Sequence, residues 1–508
     1  MLRERRNQLA PIFRLPLDVI SEIFCLISIP SSARRSAGFL FHGHRFMSVC
    51  RYWRHIGIEI AKVWSVIPNL RSKQMIGTFI SRSKNTLLDV EIDVQRNGDP
   101  KKLLSNLHRI GALDLYGDKG YTILEELRRP APVMASCHIH LSETCLPADF
   151  LGLHAPHLRH LRIKRTLFHW KMLCCTSLVQ SLTILELWRI PGSTLPSGAR
   201  VASALRAMPS LQKLVLVVSD CAQKKPGKFR GDIIMLSHLT TLDLRGSGSW
   251  ICRILRRIRV PSTACISLKP YNMKLAPVLE FLEGHCTRHG DESSIRRLSL
   301  DGPWSLTAHS STKTSSLPLL RISDPAAGQR TLRYLVRQLR LDELEVVVLQ
   351  RYWASTTHDI APASFLAPCK SATRLHIAAR VCRQLLPDLY RRKQPTNEHV
   401  SRYDLLPALQ FVRIKKSSSF WQGTADSMRR LMEARHADSN INGTSEPADA
   451  NERIDVALCV EENYDSNLDD SDLESINSYV PKSELDSDYD SDSEDDSDAS
   501  SELYYYYP

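Results

Sequence analysis

The chain has 508 residues, 43% of them hydrophobic, with 67 basic and 55 acidic side chains and a formal net charge of +12. Such a length supports two or more structural units, and no stretch approaches the roughly 18 to 20 apolar residues of a membrane span, so no membrane association is expected. The 13 cysteines are scattered from Cys25 to Cys459 with no CxxC pair, which argues against a zinc ribbon or a secreted disulfide framework and leads to an expected location in the cytoplasm, the nucleus or both.

Residues 1–13 form a basic segment, MLRERRNQLAPIF. A helical module is predicted over residues 14–68. Pro16 and Asp18 suit a first helical turn, because proline has no amide to leave unsatisfied and a carboxylate favours the positive end of the helix dipole. Val19, Ile20, Ile23, Phe24 and Ile27 then recur at helical spacing. A second amphipathic helix is read from Phe46, Val49, Cys50, Trp53 and Ile56 on one stripe, with Arg51, Arg54 and His55 around it. So short a module cannot enclose all of these side chains, so some are expected to meet a partner.

Leu15-Pro16, the Ile20/Ile23/Phe24 helix, Val49-Cys50-Arg51-x-Trp53-Arg54 and Val63-Trp64-Ser65 together resemble the F-box, the motif that attaches substrate receptors to the adaptor subunit of SCF-type cullin-RING ubiquitin ligases. The connection over residues 28–45 is longer than in the shortest versions of the motif. The resemblance implies that Leu15, Pro16, Ile20, Ile23, Val49, Cys50 and Trp53 dock the adaptor or support the surface that does. Trp64 is expected to anchor the module to the first of the repeats beyond it.

Past Trp64 a phrase of two apolar residues separated by a variable one recurs, as in PHLRHLRI, PSLQKLVL, SHLTTLDL and PALQFVRI. Its anchors are read at Val90, Leu113, Ile139, Leu161, Leu185, Leu214, Leu242, Ile266, Leu298, Val346, Leu375 and Val412. Most steps are 22 to 37 residues, and one of 48 signals a missed copy or an insertion. That period predicts a solenoid over residues 69–425. Each strand turns both apolar residues to one side, and helices between strands are read at Met75, Ile76, Phe79 and Ile80, at Val201, Leu205 and Met208, and at Val278, Leu279, Phe281 and Leu282. The pattern resembles the irregular leucine-rich repeats that often follow an F-box, which implies an α/β solenoid with a curved parallel sheet. The asparagine ladder of regular leucine-rich repeats is missing.

The variable strand positions face away from the leucines. Among them, Arg162, Lys164, Trp188, Arg245, Lys269 and Arg413 are candidate client-binding residues, since arginine and tryptophan dominate many interfaces and guanidinium binds carboxylate and phosphate bidentately. An acidic or phosphorylated client protein is the expected partner.

Residues 426–508 read as a linker and a disordered acidic tail. Residues 461–502 carry 17 acidic side chains and one lysine, which leaves a net charge of +28 on the rest of the chain. Ser487, Ser491 and Ser493 each have an acidic residue three positions on, a pattern resembling acidophilic kinase sites. No GxGxxG, P-loop, GxSxG, HExxH or RING array occurs, so no catalysis, cofactor or small-molecule substrate is expected. GSGSW at Gly246–Trp250 reads as a turn after a strand. His285, Cys286 and His289, and separately His138 and His140, are spaced for metal binding but lack partner ligands nearby in sequence, so no metal site is assigned. The sequence reading is therefore a non-catalytic substrate receptor. The alternative is a basic repeat scaffold associated with nucleic acid or chromatin, although the basic residues are interspersed without RNP aromatics or a helix-turn-helix pattern.

Overall fold

The computed structural model describes residues 10–28, 45–118, 120–142, 144–190, 198–219, 233–271, 294–300, 305–310, 318–323, 341–349, 363–378, 405–415 and 455–459, together with isolated helical positions between 278 and 389. All of these belong to one unit, Met1–Cys459. The acidic stretch after Cys459, its serines and His285, Cys286 and His289 lie outside the described residues.

The fold opens with helix α1, Leu17–Ser28, where the Pro16 carbonyl accepts from the amides of Val19 and Ile20 at 3.1 and 3.2 Å and Asp18 sits in the first turn. The second helix is shorter than the sequence stripe suggests. Arg45–Ser48 forms a separate 3-10 turn and α2 runs only over Arg51–Glu59. The break lies at Cys50, whose extended backbone (φ −157°, ψ 171°) places it at the N-cap, with its sulfur accepting from the Trp53 amide at 3.4 Å. Phe46 and Val49 consequently do not share one helical face: Phe46 is buried and Val49 is exposed. Phe24 stacks on Phe46 at 4.0 Å and meets Trp53 edge-on at 5.3 Å. Helix α3, Lys73–Arg82, is capped by Ser72, whose hydroxyl accepts from the Met75 amide, and its Phe79 meets Trp64 edge-on at 5.1 Å. This contact packs the segment ahead of β1 against α3.

Among the described residues the main body is a mixed α/β structure around one large, mostly parallel sheet of 16 strands. Its first strands are β1 (Val66–Ile67), β2 (Leu88–Asp93), β3 (Ile110–Asp118), β4 (Ser136–Ser142), β5 (His160–Lys164), β6 (Ile184–Ile190) and β7 (Lys213–Val218), which lie side by side in chain order. The chain continues through β8 (Ile234–Met235), β9 (Thr241–Ser247), β10 (Ile258–Arg259), β11 (Cys265–Tyr271), β12 (Arg297–Leu300), β13 (Ser305–His309) and β14 (Leu320–Ser323). It ends with β15 (Val346–Leu349), β16 (Arg374–Ala378), β17 (Phe411–Lys415) and β18 (Asp455–Cys459). Of these described strands, β8 and β10 alone lie outside the large sheet, pairing with each other.

Register explains why the leucines recur. Val90, Leu113, Cys137, Leu161, Leu185, Leu214, Leu242 and Ile266 pair one to the next across β2 to β11, then Leu320, Ala308, Leu298, Val347, Leu375 and Val412 carry the row to β17. A second row, from Ile92 through Leu115, Ile139, Ile163, Leu187, Leu216, Leu244 and Leu268, runs two residues further along each strand. Both rows are buried and pack in one core with residues of the connecting segments such as Leu103, Phe150, Leu173, Leu205 and Trp250. Each large apolar side chain so covered is worth roughly 1.5 to 3 kcal/mol. The residue just before the strand, or in β11 its first residue, extends the ladder through the main chain. The amides of Ala135, Arg159, Thr183, Gln212, Thr240 and Cys265 donate in turn to the carbonyls of Gly111, Ala135, Arg159, Thr183, Gln212 and Thr240 at 2.7–2.9 Å. Successive segments are thus joined without an asparagine ladder.

Four expectations need correction. The anchor in β4 is Cys137, with Ile139 in the second row, and the anchor in β15 is Val347, one residue past Val346. The sheet is not wholly parallel: the 48-residue step holds an insertion, one of the two causes expected, in which β12, β13 and β14 form an antiparallel meander laid in reverse order, β14 against β11 and β12 against β15. Asp455–Cys459, read as part of the linker and tail, supplies β18, parallel to β17. GSGSW is not a simple turn, because Gly246 and Ser247 end β9 and a helix, Gly248–Leu255, starts at once. Gly246 has φ +144°, and a Cβ there would stand 3.0 Å from that of Val218, so both backbone and space require glycine.

Candidate functional site

Two surfaces carry the residues singled out by sequence. The first lies on the N-terminal helices. At about 100° per residue, Ile20, Phe24, Cys25 and Ser28 fall on one side of α1 and are buried there. Val19, Ile23, Leu26 and Ile27, spaced i, i+4, i+7 and i+8, fall on the other side. Val19 is 43% exposed and Leu26 67%, Ile27 is exposed and Ile23 half-buried. Val49, at 58%, and Tyr52 are exposed at the start of α2. Ten large apolar side chains are exposed among the described residues, and six of them are Leu17, Val19, Leu26, Ile27, Val49 and Tyr52. Uncovered apolar surface is therefore concentrated on this module rather than scattered, which is the distribution expected of an interaction surface.

The seven adaptor-docking candidates separate accordingly. Ile20 is fully buried. Leu15, Ile23 and Trp53 are half-buried against the core, and Cys50 is the half-buried cap of α2. Pro16 and Val49 are exposed. The sequence reading missed Leu26 and Tyr52 and merged the two faces of α1. The i, i+4, i+7 spacing from Val19 was the signal that could have separated them.

The second surface is the variable face of the sheet. Five of the six client-binding candidates, Arg162, Lys164, Trp188, Arg245 and Lys269, come together on the adjacent strands β5, β6, β7, β9 and β11. Arg413 does not join them. It lies on β17, six strand spacings beyond β11, or roughly 29 Å at about 4.8 Å per strand.

Glu186 organises the cluster. Its carboxylate, buried in the sheet face, accepts from Arg162 Nε and, at 2.8 Å, from Lys213 Nζ, while the Trp188 indole donates to it at 3.2 Å. Burial alone would push this carboxyl up. The hydrogen bonds and charges of Arg162 and Lys213 outweigh it and hold the pKa at about 2. Arg245 forks onto Asp243 at 2.8–3.1 Å and lies over the Trp188 ring, 5.3 Å from its centroid. Arg162, Trp188 and Arg245 are thus engaged with their own neighbours.

Histidines occupy the adjoining strands. His138 Nε2 and His160 Nδ1 are 3.1 Å apart, and burial, reinforced by His138, Arg162 and Lys213, lowers the His160 pKa to about 4. His140 is also lowered, by burial and then by Lys164 and Arg165. Among the described residues no group of three or more histidine, cysteine or carboxylate side chains is arranged to hold a metal ion.

No protein-family model and no curated protein matches the chain. Among the described residues, no helix is long and apolar enough to cross a membrane.

Proposed function

We propose that the chain is a non-catalytic substrate receptor. Its N-terminal helices dock on the adaptor subunit of an SCF-type cullin-RING ligase, and its sheet face holds a client protein for ubiquitination. The observation that carries this reading is the second apolar face of α1, with Val19, Leu26 and Ile27 uncovered, together with the exposed Val49 of the Val49-Cys50-Arg51-x-Trp53-Arg54 segment that resembles the F-box. Exposing these side chains forgoes burial free energy, and a partner helix seated on them restores it.

The order of the strands supports a solenoid of irregular leucine-rich repeats: neighbours in sequence are neighbours in the sheet from β1 to β7, and the leucine rows stay in register throughout. A receptor of this kind acts by proximity, since fixing a client lysine near a charged enzyme replaces a rare encounter with a local one.

Co-purification with the adaptor tests the proposal. Wild type is expected to retain the adaptor and Val19→Asp/Val49→Asp to lose it, with unchanged circular dichroism and thermal midpoint. Equal retention by both proteins, or failure of the wild type to retain the adaptor, overturns the reading.

A further inference from the structure

The sheet face holds a second group of cations that sequence did not single out. Arg165 follows β5 directly and Arg189 lies near the end of β6, and both have φ of +53°. A non-glycine residue in the left-handed region is strained, and such strain concentrates at functional positions. The two arginines are neighbours. Lys164 pairs with Trp188 in register, and the Arg165 amide donates to the Trp188 carbonyl at 2.9 Å, which brings Arg165 beside Arg189. At Arg189 the strand bulges: from Leu187 to Ile190 β6 advances three residues while β7 advances two, from Leu216 to Val218. Bulges of this kind re-aim a side chain.

Both arginines are exposed, and among the described residues neither guanidinium makes a hydrogen bond or an ion pair. Like charge gathers around them. Burial and then the charge of Arg189 lower the Arg165 pKa, Lys164 is the preceding residue of β5, and Asp118 is the anion that opposes them. This contrasts with Arg162 and Arg245, whose charges are already met by Glu186 and Asp243.

We propose that Lys164, Arg165 and Arg189 form a docking site for a single phosphoryl group on a serine or threonine of a partner protein. Two adjacent guanidinium groups can present parallel N–H donors to one phosphate dianion, and an ammonium adds charge without directional demand. The extent of the patch favours a single phosphoryl group over a polynucleotide. On one side β3 ends in Asp118; on the other, Lys164 pairs with Trp188, one residue past the Leu187–Leu216 pair, and the following Val217 pairs with Arg245 of β9, which is already forked onto Asp243. Lys164, Arg165 and Arg189 therefore sit on two adjacent strands, β5 and β6, about 5 Å apart. A nucleic-acid backbone continuing beyond them would meet the Asp118 carboxylate on one side and, on the other, a guanidinium already held by Asp243. That the phosphorylated segment belongs to a ligase client rests on the receptor reading, whereas the site itself does not.

Fluorescence anisotropy on the full chain tests the site, using a labelled, alanine-flanked nonapeptide with a central phosphoserine and its unphosphorylated twin. The variant is Arg165→Gly/Arg189→Gly, because glycine adopts the same positive φ without strain and removes only the cations. The phosphopeptide is expected to bind at least 10-fold tighter than its twin, and the variant to lose at least 10-fold of that affinity without a lowered thermal midpoint. Equal affinity for the two peptides, or an unchanged affinity of the variant, refutes the site. Displacement of the phosphopeptide by a 12-nucleotide single strand more readily than by inorganic phosphate at equal charge refutes it in favour of nucleic acid. Adaptor co-purification is independent of all these outcomes, so failure of either proposal is read separately.

Discussion

Val19 and Ile20 are consecutive in α1 yet face opposite environments, with Val19 43% exposed and Ile20 1%. Equivalent substitutions at the two positions should therefore separate folding from docking. Ile20→Asp places an unpaired carboxylate in the core beside Phe24, which is expected to destabilise by roughly 4 kcal/mol or more. Val19→Asp, at the surface, is expected to stay within about 0.5 kcal/mol of wild type. Urea unfolding of the two variants checks this, and similar losses in both would contradict the two-faced helix.

Gly57 has no room for a methyl group. A Cβ there would stand 2.7 Å from Phe46 Cε2 and 2.8 Å from Met47 Cγ, while the Gly57 carbonyl accepts the Trp64 indole N–H at 2.9 Å. Met47 can swing aside, but Phe46 is stacked on Phe24 and cannot yield without disturbing it. Alanine normally favours a helix by about 1 kcal/mol over glycine. Here overpacking should reverse the sign, so Gly57→Ala is expected to destabilise by about 1 to 2 kcal/mol. A rise in stability on thermal or urea unfolding would show that α2 packs less closely against Phe46 than these distances require.

Glu186 is gripped by both Arg162 and Lys213. Glu186→Gln keeps the shape but leaves two cations without their anion, and a loss of about 2 to 3 kcal/mol is expected. Arg162→Ala should cost less, because Lys213 and Trp188 still satisfy the carboxylate. A double-mutant cycle between positions 162 and 186 measures the pair directly, and a coupling near zero would mean that the ion pair contributes nothing. Arg162 is consequently a poor probe of client binding on its own, since its removal disturbs the fold as well as the surface.

The leucine rows were legible because a strand repeats every two residues and a parallel sheet buries one side of each strand at the same place. Where that contrast vanished, the reading slipped. VVVL in β15 is apolar at every position, so Val346 and Val347 could not be told apart, and in SCHIHL the buried Cys137 carried no obvious apolar mark. The meander was hidden because SLTAH and LRIS are short and strand order is a tertiary property. On the sheet face, residue types identified Arg162, Trp188 and Arg245. Arg162 meets Glu186 24 residues away and Arg245 lies over the distant Trp188, contacts set by strand pairing that leave no local trace, and nothing in the local sequence marks the left-handed backbone of Arg165 and Arg189.

Acid should weaken the fold in two overlapping steps. His160 titrates near 4 in the fold against an ordinary 6.5, because burial and the neighbouring His138, Arg162 and Lys213 disfavour its charged form. Below pH 6.5 the unfolded chain takes up this proton first, so stability falls as pH drops from about 6.5 to about 4. Glu186, at about 2 against an ordinary 4.5, also binds its proton more readily when unfolded, and its contribution is lost as pH falls from about 4.5 towards 2. His160→Gln removes the first step and leaves the second. The urea midpoint of wild type, measured from pH 7.5 to pH 3.5, should therefore fall relative to that of the variant as the pH falls through 6 to 4. If the difference between the two proteins stays constant over that range, His160 is not held neutral by its surroundings, and the packing of His138 against it at 3.1 Å is not maintained in solution.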